Sequence, residues 1–205
     1  MPSENELAEY FGVSRLKIRE SLRILIGRSI LNSSQGRKAV IAAKHSSLLS
    51  YVVTSTVMSA PGWHTDLCQV RKALESEAAL LACSDHEHID FEMPHKYLEQ
   101  MKKISDQIEN SRKNNGDFKH LINEYHEADL NFHVSLVKAS NNKTLFLLFN
   151  SLSVLIKQSF TLTQNVKLNP SKNFNDNYKI HNDIFESVLE GYFQRADNII
   201  RSEEH

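Results

Sequence analysis

The chain has 205 residues, 40% of them hydrophobic and 24% charged, with a formal net charge of −1. This composition excludes a disordered chain, and no apolar run approaches the roughly 20 residues that a membrane-spanning helix needs. Cys68 and Cys83 are too few and too isolated for a disulfide framework or a zinc knuckle. With helix signals directly after Met1 and no leader pattern, the expected compartment is the reducing cytoplasm.

The small net charge hides an asymmetry. Residues 1–44 hold eight Lys/Arg and four Glu, a balance of +4, which leaves −5 for the remainder. A basic head on an acidic body directs a polyanion to the head alone.

In chain order, Ser3 and Glu6 have the spacing of a capping box that opens a short helix, with Leu7 and Ala8 facing inward. Gly12 falls where a sharp turn needs positive φ. Ser14 then caps a second helix with an apolar stripe of Ile18, Leu22 and Leu25. Its other face carries Arg15, Lys17, Arg19 and Arg23. Such a helix suits a DNA major groove. The plainer alternative is an αα-hairpin with a solvated basic face, but Ala8, Gly12 and the basic helix share one helix-turn-helix register.

The second helix is expected to end near Gly27. Residues 30–32 and 39–41 can then pair as a hairpin around 33–38, with Gly36 in the turn and Arg37-Lys38 at the tip. Following a helix-turn-helix, a basic hairpin reads as a wing that reaches backbone or minor groove.

From about residue 43 the pattern is helical. A first helix includes Leu48-Leu49 and Val52-Val53 and stops before Pro61-Gly62; a second, capped by Thr65 or Asp66, runs its stripe through Leu67, Val70, Leu74, Ala78 and Leu81. A third lies within residues 94–112, a fourth spans about 117–140, and Asn141-Asn142 break the chain. A fifth covers about 145–162, and two more, near 172–190 and 192–204, follow the break at Asn169-Pro170-Ser171. The expected fold is therefore mainly α: a winged helix-turn-helix over residues 1–43, then an all-α helical bundle over 44–205.

Polar residues on inward faces carry the chemistry. Asp129 and His133 are spaced i, i+4 beside the inward Phe132 and Leu136. Burying both costs several kcal/mol unless something pairs them. By spacing alone an Asp–His hydrogen bond is the simpler account, while an oxygen and a nitrogen ligand for a divalent metal is the sharper one. His181 favours the second, because it opens a helix whose inward face continues through Ile184, Phe185, Val188 and Leu189. His126 is expected to be exposed, and His86, His88, His95 and His120 to lie on the surface. Arg71 and Glu75 form another i, i+4 pair, which spacing alone assigns to a surface ion pair.

At this point the chain resembles the GntR family of bacterial transcription regulators, in its FadR-like branch. The head, Pro-Ser-Glu-x-Glu-Leu-Ala-x-x-x-Gly-Val-Ser-Arg-x-x-Ile-Arg-Glu-Ser-Leu, is similar to that family's winged-helix signature. The body resembles its helical FCD effector domain through Arg71-x-x-Leu74-Glu75, Asp129-x-x-Phe132-His133-x-x-Leu136-x-x-Ala139-Ser140-x-Asn142, and His181-x-x-Ile184 with Gly191 and Ala196. The resemblance implies DNA contacts from Arg15, Lys17 and Arg19, Ser14 at the helix start, and Gly36 and Arg37 in the wing. It implies a divalent transition metal such as zinc, nickel or manganese on Asp129, His133 and His181, with Arg71 near an effector pocket. It also implies a homodimer on a palindromic operator, responding to a small carboxylate or sugar acid.

Three departures accompany it. The family carries a further helix before the Pro-Ser-Glu segment, so the expected winged domain lacks its first helix. Asn5 stands where the family commonly has Arg, and Glu203 falls at the register of its last metal histidine. An effector-binding protein with impaired DNA binding is accordingly the alternative function. A helical metalloenzyme on Asp129, His133 and His181 is disfavoured, since the chain lacks a Glu-x-x-His di-metal pair, a nucleophile with an adjacent base and a phosphate loop.

Overall fold

The Ser3 capping box forms as its spacing predicts. In the computed structural model, which describes residues 2–27, 31–32, 40–41, 46–114, 116–166 and 173–202, Ser3 Oγ accepts from the Glu6 amide at 3.3 Å and the Ser3 amide donates to Glu6 Oε2 at 2.6 Å. Helix α1 runs Glu4–Phe11 and ends on Gly12, whose φ of 62° lets the amide of Val13 fold back onto the Ala8 carbonyl. Helix α2 follows at Arg15–Gly27, and the Lys17 amide donates to Ser14 Oγ at 3.4 Å. Strands β1 (Leu31–Asn32) and β2 (Val40–Ile41) pair antiparallel with Leu31 opposite Ile41. The tip of the expected wing, with Gly36 and Arg37, lies outside the described residues.

The chain divides into two compact units, Met1–Val53 and Thr54–His205, with the division inside α3 (Ser46–Val57). The second unit contains α4 (Trp63–Ser84), a single 3₁₀ turn at His86–His88, α5 (Glu92–Lys113), α6 (Lys119–Ala139), α7 (Lys143–Val166), α8 (Phe174–Leu189) and α9 (Phe193–Ser202). Its core is built where α5 and α8 pack on one another and α6 packs on α5 and α7. Leu98, Met101, Ile104 and Ile108 of α5, Tyr125 and Phe132 of α6, and Ile184 and Val188 of α8 are buried there. The Asn141-Asn142 break is real: Asn141 takes φ 55°, and Asn142 Oδ1 accepts from the Thr144 and Leu145 amides to start α7.

Helix α4 departs most from expectation. It begins at Trp63, with Gly62 rather than Thr65 or Asp66 as the preceding residue. The buried residues include Leu67, Arg71, Glu75, Ala78, Ala79 and Ala82, whereas Val70 is 48% exposed. An apolar stripe is only a default choice. Here two charged residues occupy core positions because partners for them arrive from other helices, and small alanines let those helices approach. Leu189, expected to face inward on α8, is exposed.

Candidate functional site

On the head, Arg15, Lys17 and Arg19 are exposed along α2, and Ser14 stands exposed at its start, while Ile18 is buried. The basic residues that sequence reasoning selected therefore share the outside of the helix. Arg19 is also engaged within the unit: its Nη2 lies 2.9 Å from Glu4 Oε2.

In the bundle, α6 and α8 bring Asp129, His133 and His181 to one buried point. His133 Nε2 is 2.9 Å from His181 Nε2, and Asp129 Oδ1 lies 3.1 Å from His181 Nε2 and 3.3 Å from His133 Nε2. Phe132 seals the point, with its ring meeting both imidazoles edge-on at 5.3 Å between centroids. The i, i+4 spacing on α6 aims Asp129 and His133 the same way, and the Asn177 carbonyl orients His181 by accepting from Nδ1 at 2.8 Å.

The outer nitrogens decide what the inner ones offer. Asn177 O beside His181 Nδ1, and Glu75 Oε1 at 3.1 Å from His133 Nδ1, are both acceptors. Each Nδ1 then carries its hydrogen, and in the neutral rings each Nε2 presents a lone pair. Two such lone pairs and a carboxylate oxygen converge. The cluster therefore demands a positive charge, which a shared proton or a divalent cation supplies. Among the described residues these three side chains form a group able to hold a metal ion. Three ligands at roughly 2.0–2.2 Å from one ion stand about 3.0–3.5 Å apart at octahedral to tetrahedral angles, close to the separations observed. The N, N, O donor set suits a divalent transition metal.

The electrostatics agree. Burial disfavours charge on Asp129, but the charge of His181 and, where the rings are protonated, the hydrogen bonds from both histidines hold its carboxyl well below the usual range. Burial likewise opposes an imidazolium at His133, and Arg71 repels it, yet the Glu75 charge and the bonds to Asp129 and Glu75 push its pKa up to about 9.

Arg71 and Glu75 are not the surface ion pair that spacing suggests. Arg71 Nε donates to Glu75 Oε1 at 2.7 Å, and both side chains are buried. Arg71 thereby joins the cluster through Glu75. The Arg71 guanidinium carbon also lies 6.0 Å from the centre of the Phe160 ring, on which His126 stacks at 4.7 Å. His126 is thus buried rather than exposed, since Phe160 of α7 covers it. His88, His95 and His120 lie on the surface, and His86 is half-buried. Glu203 lies outside the described residues.

A model of the FCD domain matches residues 66–202, and one described as bacterial regulatory proteins, gntR family, matches residues 1–41. The chain belongs to the gntR family, with an FCD domain as its body. The Glc operon transcriptional activator of Escherichia coli (strain K12) is 32% identical over 159 residues, a match spanning 78% of this chain and 59% of that protein. The HTH-type transcriptional regulator LutR of Bacillus subtilis (strain 168) is 27% identical over 96% of this chain and 84% of its own length. Among solved structures, a GntR protein of Streptococcus agalactiae shares the fold, with a TM-score of 0.58 at 23% identity over 98% of this chain and 84% of that one. In this FCD domain, Glu75 and Phe160 are the site residues that sequence reasoning passed over.

Proposed function

We propose that this gntR-family chain is a transcription regulator whose FCD domain binds a divalent metal and a small anionic effector. The observation that carries this reading is the buried convergence of Asp129, His133 and His181 within 3.3 Å. Zinc, nickel and manganese are the metals considered, with Asp129, His133 and His181 as ligands and Glu203 as a fourth by register. When bound, the metal supplies a Lewis-acidic positive centre for an effector oxygen. Arg71 brings a guanidinium into the same network, suited to the carboxylate of a small acid or sugar acid.

The head supplies the output. Arg15, Lys17 and Arg19 would meet operator DNA, with Ser14 at the helix start and Gly36 and Arg37 in the wing. The proposed boundary between DNA-binding and effector domains is at residues 43 and 44. A homodimer on a palindromic operator would couple effector to DNA by about 1–3 kcal/mol. The printed names of the two relatives, an operon activator and a regulator, support the assignment. Among the described residues no helix is long and apolar enough to cross a membrane, which is consistent with work on chromosomal DNA in the cytoplasm.

Elemental analysis of the purified chain beside His133→Ala tests the metal centre. About one divalent metal per chain is expected in the first and little in the second; equal content in both overturns the site. Titration against a palindromic operator and random DNA at several salt concentrations tests the output. Salt-dependent binding that prefers the operator is expected, and no preference at any salt overturns it.

A further inference from the structure

Glu75 lies on α4, apart from the three candidate ligands, which come from α6 and α8. One of its oxygens, Oε1, meets both Arg71 Nε at 2.7 Å and His133 Nδ1 at 3.1 Å. All three side chains are at most 3% exposed. On the reading of Asp129, His133 and His181 as a metal site, we infer that Glu75 is a positioning residue that prepares His133 as a ligand.

A carboxylate can only accept. Its contact with His133 Nδ1 therefore keeps the hydrogen on that nitrogen and leaves Nε2 to face Asp129 and His181. A charged acceptor also makes the ring a stronger donor toward a cation than a neutral one does. Arg71 sets a guanidinium against the same buried oxygen, so the carboxylate has a cationic partner built in beside it. Stability alone gives no reason for the pair, because replacing a buried ion pair with apolar residues of similar volume is often neutral or stabilising. The two histidines differ in this respect. His181 is oriented by the backbone carbonyl of Asn177, which no side-chain substitution removes, whereas His133 depends on a side chain.

The experiment uses the full chain and zinc alone, read by competition with a chelator of known affinity. Glu75→Gln keeps an acceptor but loses the charge, and should bind zinc about 10-fold more weakly while keeping its helical circular dichroism. Arg71→Met/Glu75→Met removes the acceptor without stranding a charge, and should approach a 100-fold loss. In nitrogen-15 spectra of the zinc-loaded Glu75→Gln protein, the His133 Nδ1 hydrogen should exchange with water faster than in the wild type, and that of His181 should be unchanged. Wild-type zinc affinity in folded Glu75→Gln overturns the inference; if that variant does not fold, wild-type affinity in the double variant does so. A wild-type chain that takes up none of zinc, nickel and manganese overturns the metal reading itself instead.

Discussion

Two Arg–Glu pairs show how differently the two units use the same chemistry. Arg19 and Glu4 meet at 2.9 Å with side chains 47% and 35% exposed, while Arg71 and Glu75 meet at 2.7 Å with 3% and 2% exposed. In the head, water and salt screen the charges, so the guanidinium can exchange its partner for another anion at little cost. In the bundle nothing screens them, and each charge persists because a neighbour of opposite sign is built in. One unit leaves its charge open to solvent. The other stores it.

Removing one partner from each pair breaks this contrast most directly. Arg71→Met takes the guanidinium away from the buried Glu75 carboxylate and should cost about 3–5 kcal/mol in urea unfolding. Arg19→Ala should leave the urea midpoint where it is. A comparably small effect at Arg71 would mean that the buried pair is as solvated as the exposed one, and the contrast would fail.

The two units also contain one helix ending in common, and it ranks next in expected effect. Gly12 ends α1 at φ 62° and Gly191 follows α8 at φ 76°, and in each case the next amide folds back onto the helix. Alanine pays the left-handed penalty of about 1–2 kcal/mol at both. At Gly12 the added methyl meets nothing within 4 Å, whereas at Gly191 it stands 2.9 Å from His86 Cε1. His86 must then swing away from the Cys83 carbonyl it contacts at 2.9 Å, adding about 1 kcal/mol. Gly191→Ala should therefore be the more damaging in thermal unfolding. In a His86→Ala background the excess should vanish; if it persists, the crowding is not its cause.

The sequence revealed the two units unequally, and for a physical reason. Capping, turn and helix-break signals are local, so Ser3, Gly12 and Asn142 could each be assigned from a few neighbouring residues. Asp129, His133 and His181 could be grouped because each sits beside strongly apolar neighbours that fix which way its helix faces. Glu75 and His126 could not be placed that way. Whether a charged or aromatic polar residue is buried depends on what another helix brings to it, His133 of α6 in the first case and Phe160 of α7 in the second. Local spacing carries no record of those partners, so it points to apolar Val70 for the core position that Arg71 takes.

The smallest effect on stability has the clearest consequence for function. Glu4 is held below the usual carboxylate range chiefly by its hydrogen bond to Arg19, so it stays ionised on that guanidinium and would compete with a phosphate for it. If Arg19 is a DNA contact, Arg19→Ala should flatten the dependence of log affinity on log salt by about one unit. Glu4→Gln should do the reverse of a loss: by releasing Arg19 and removing a negative charge from the DNA-facing head, it should tighten operator binding. If Arg19 serves only to hold α2 against α1, both substitutions weaken the same contact, and Glu4→Gln should weaken operator binding as Arg19→Ala does. Measured in parallel at low and moderate salt, the sign of the Glu4→Gln effect therefore separates a DNA-reading arginine from a structural one.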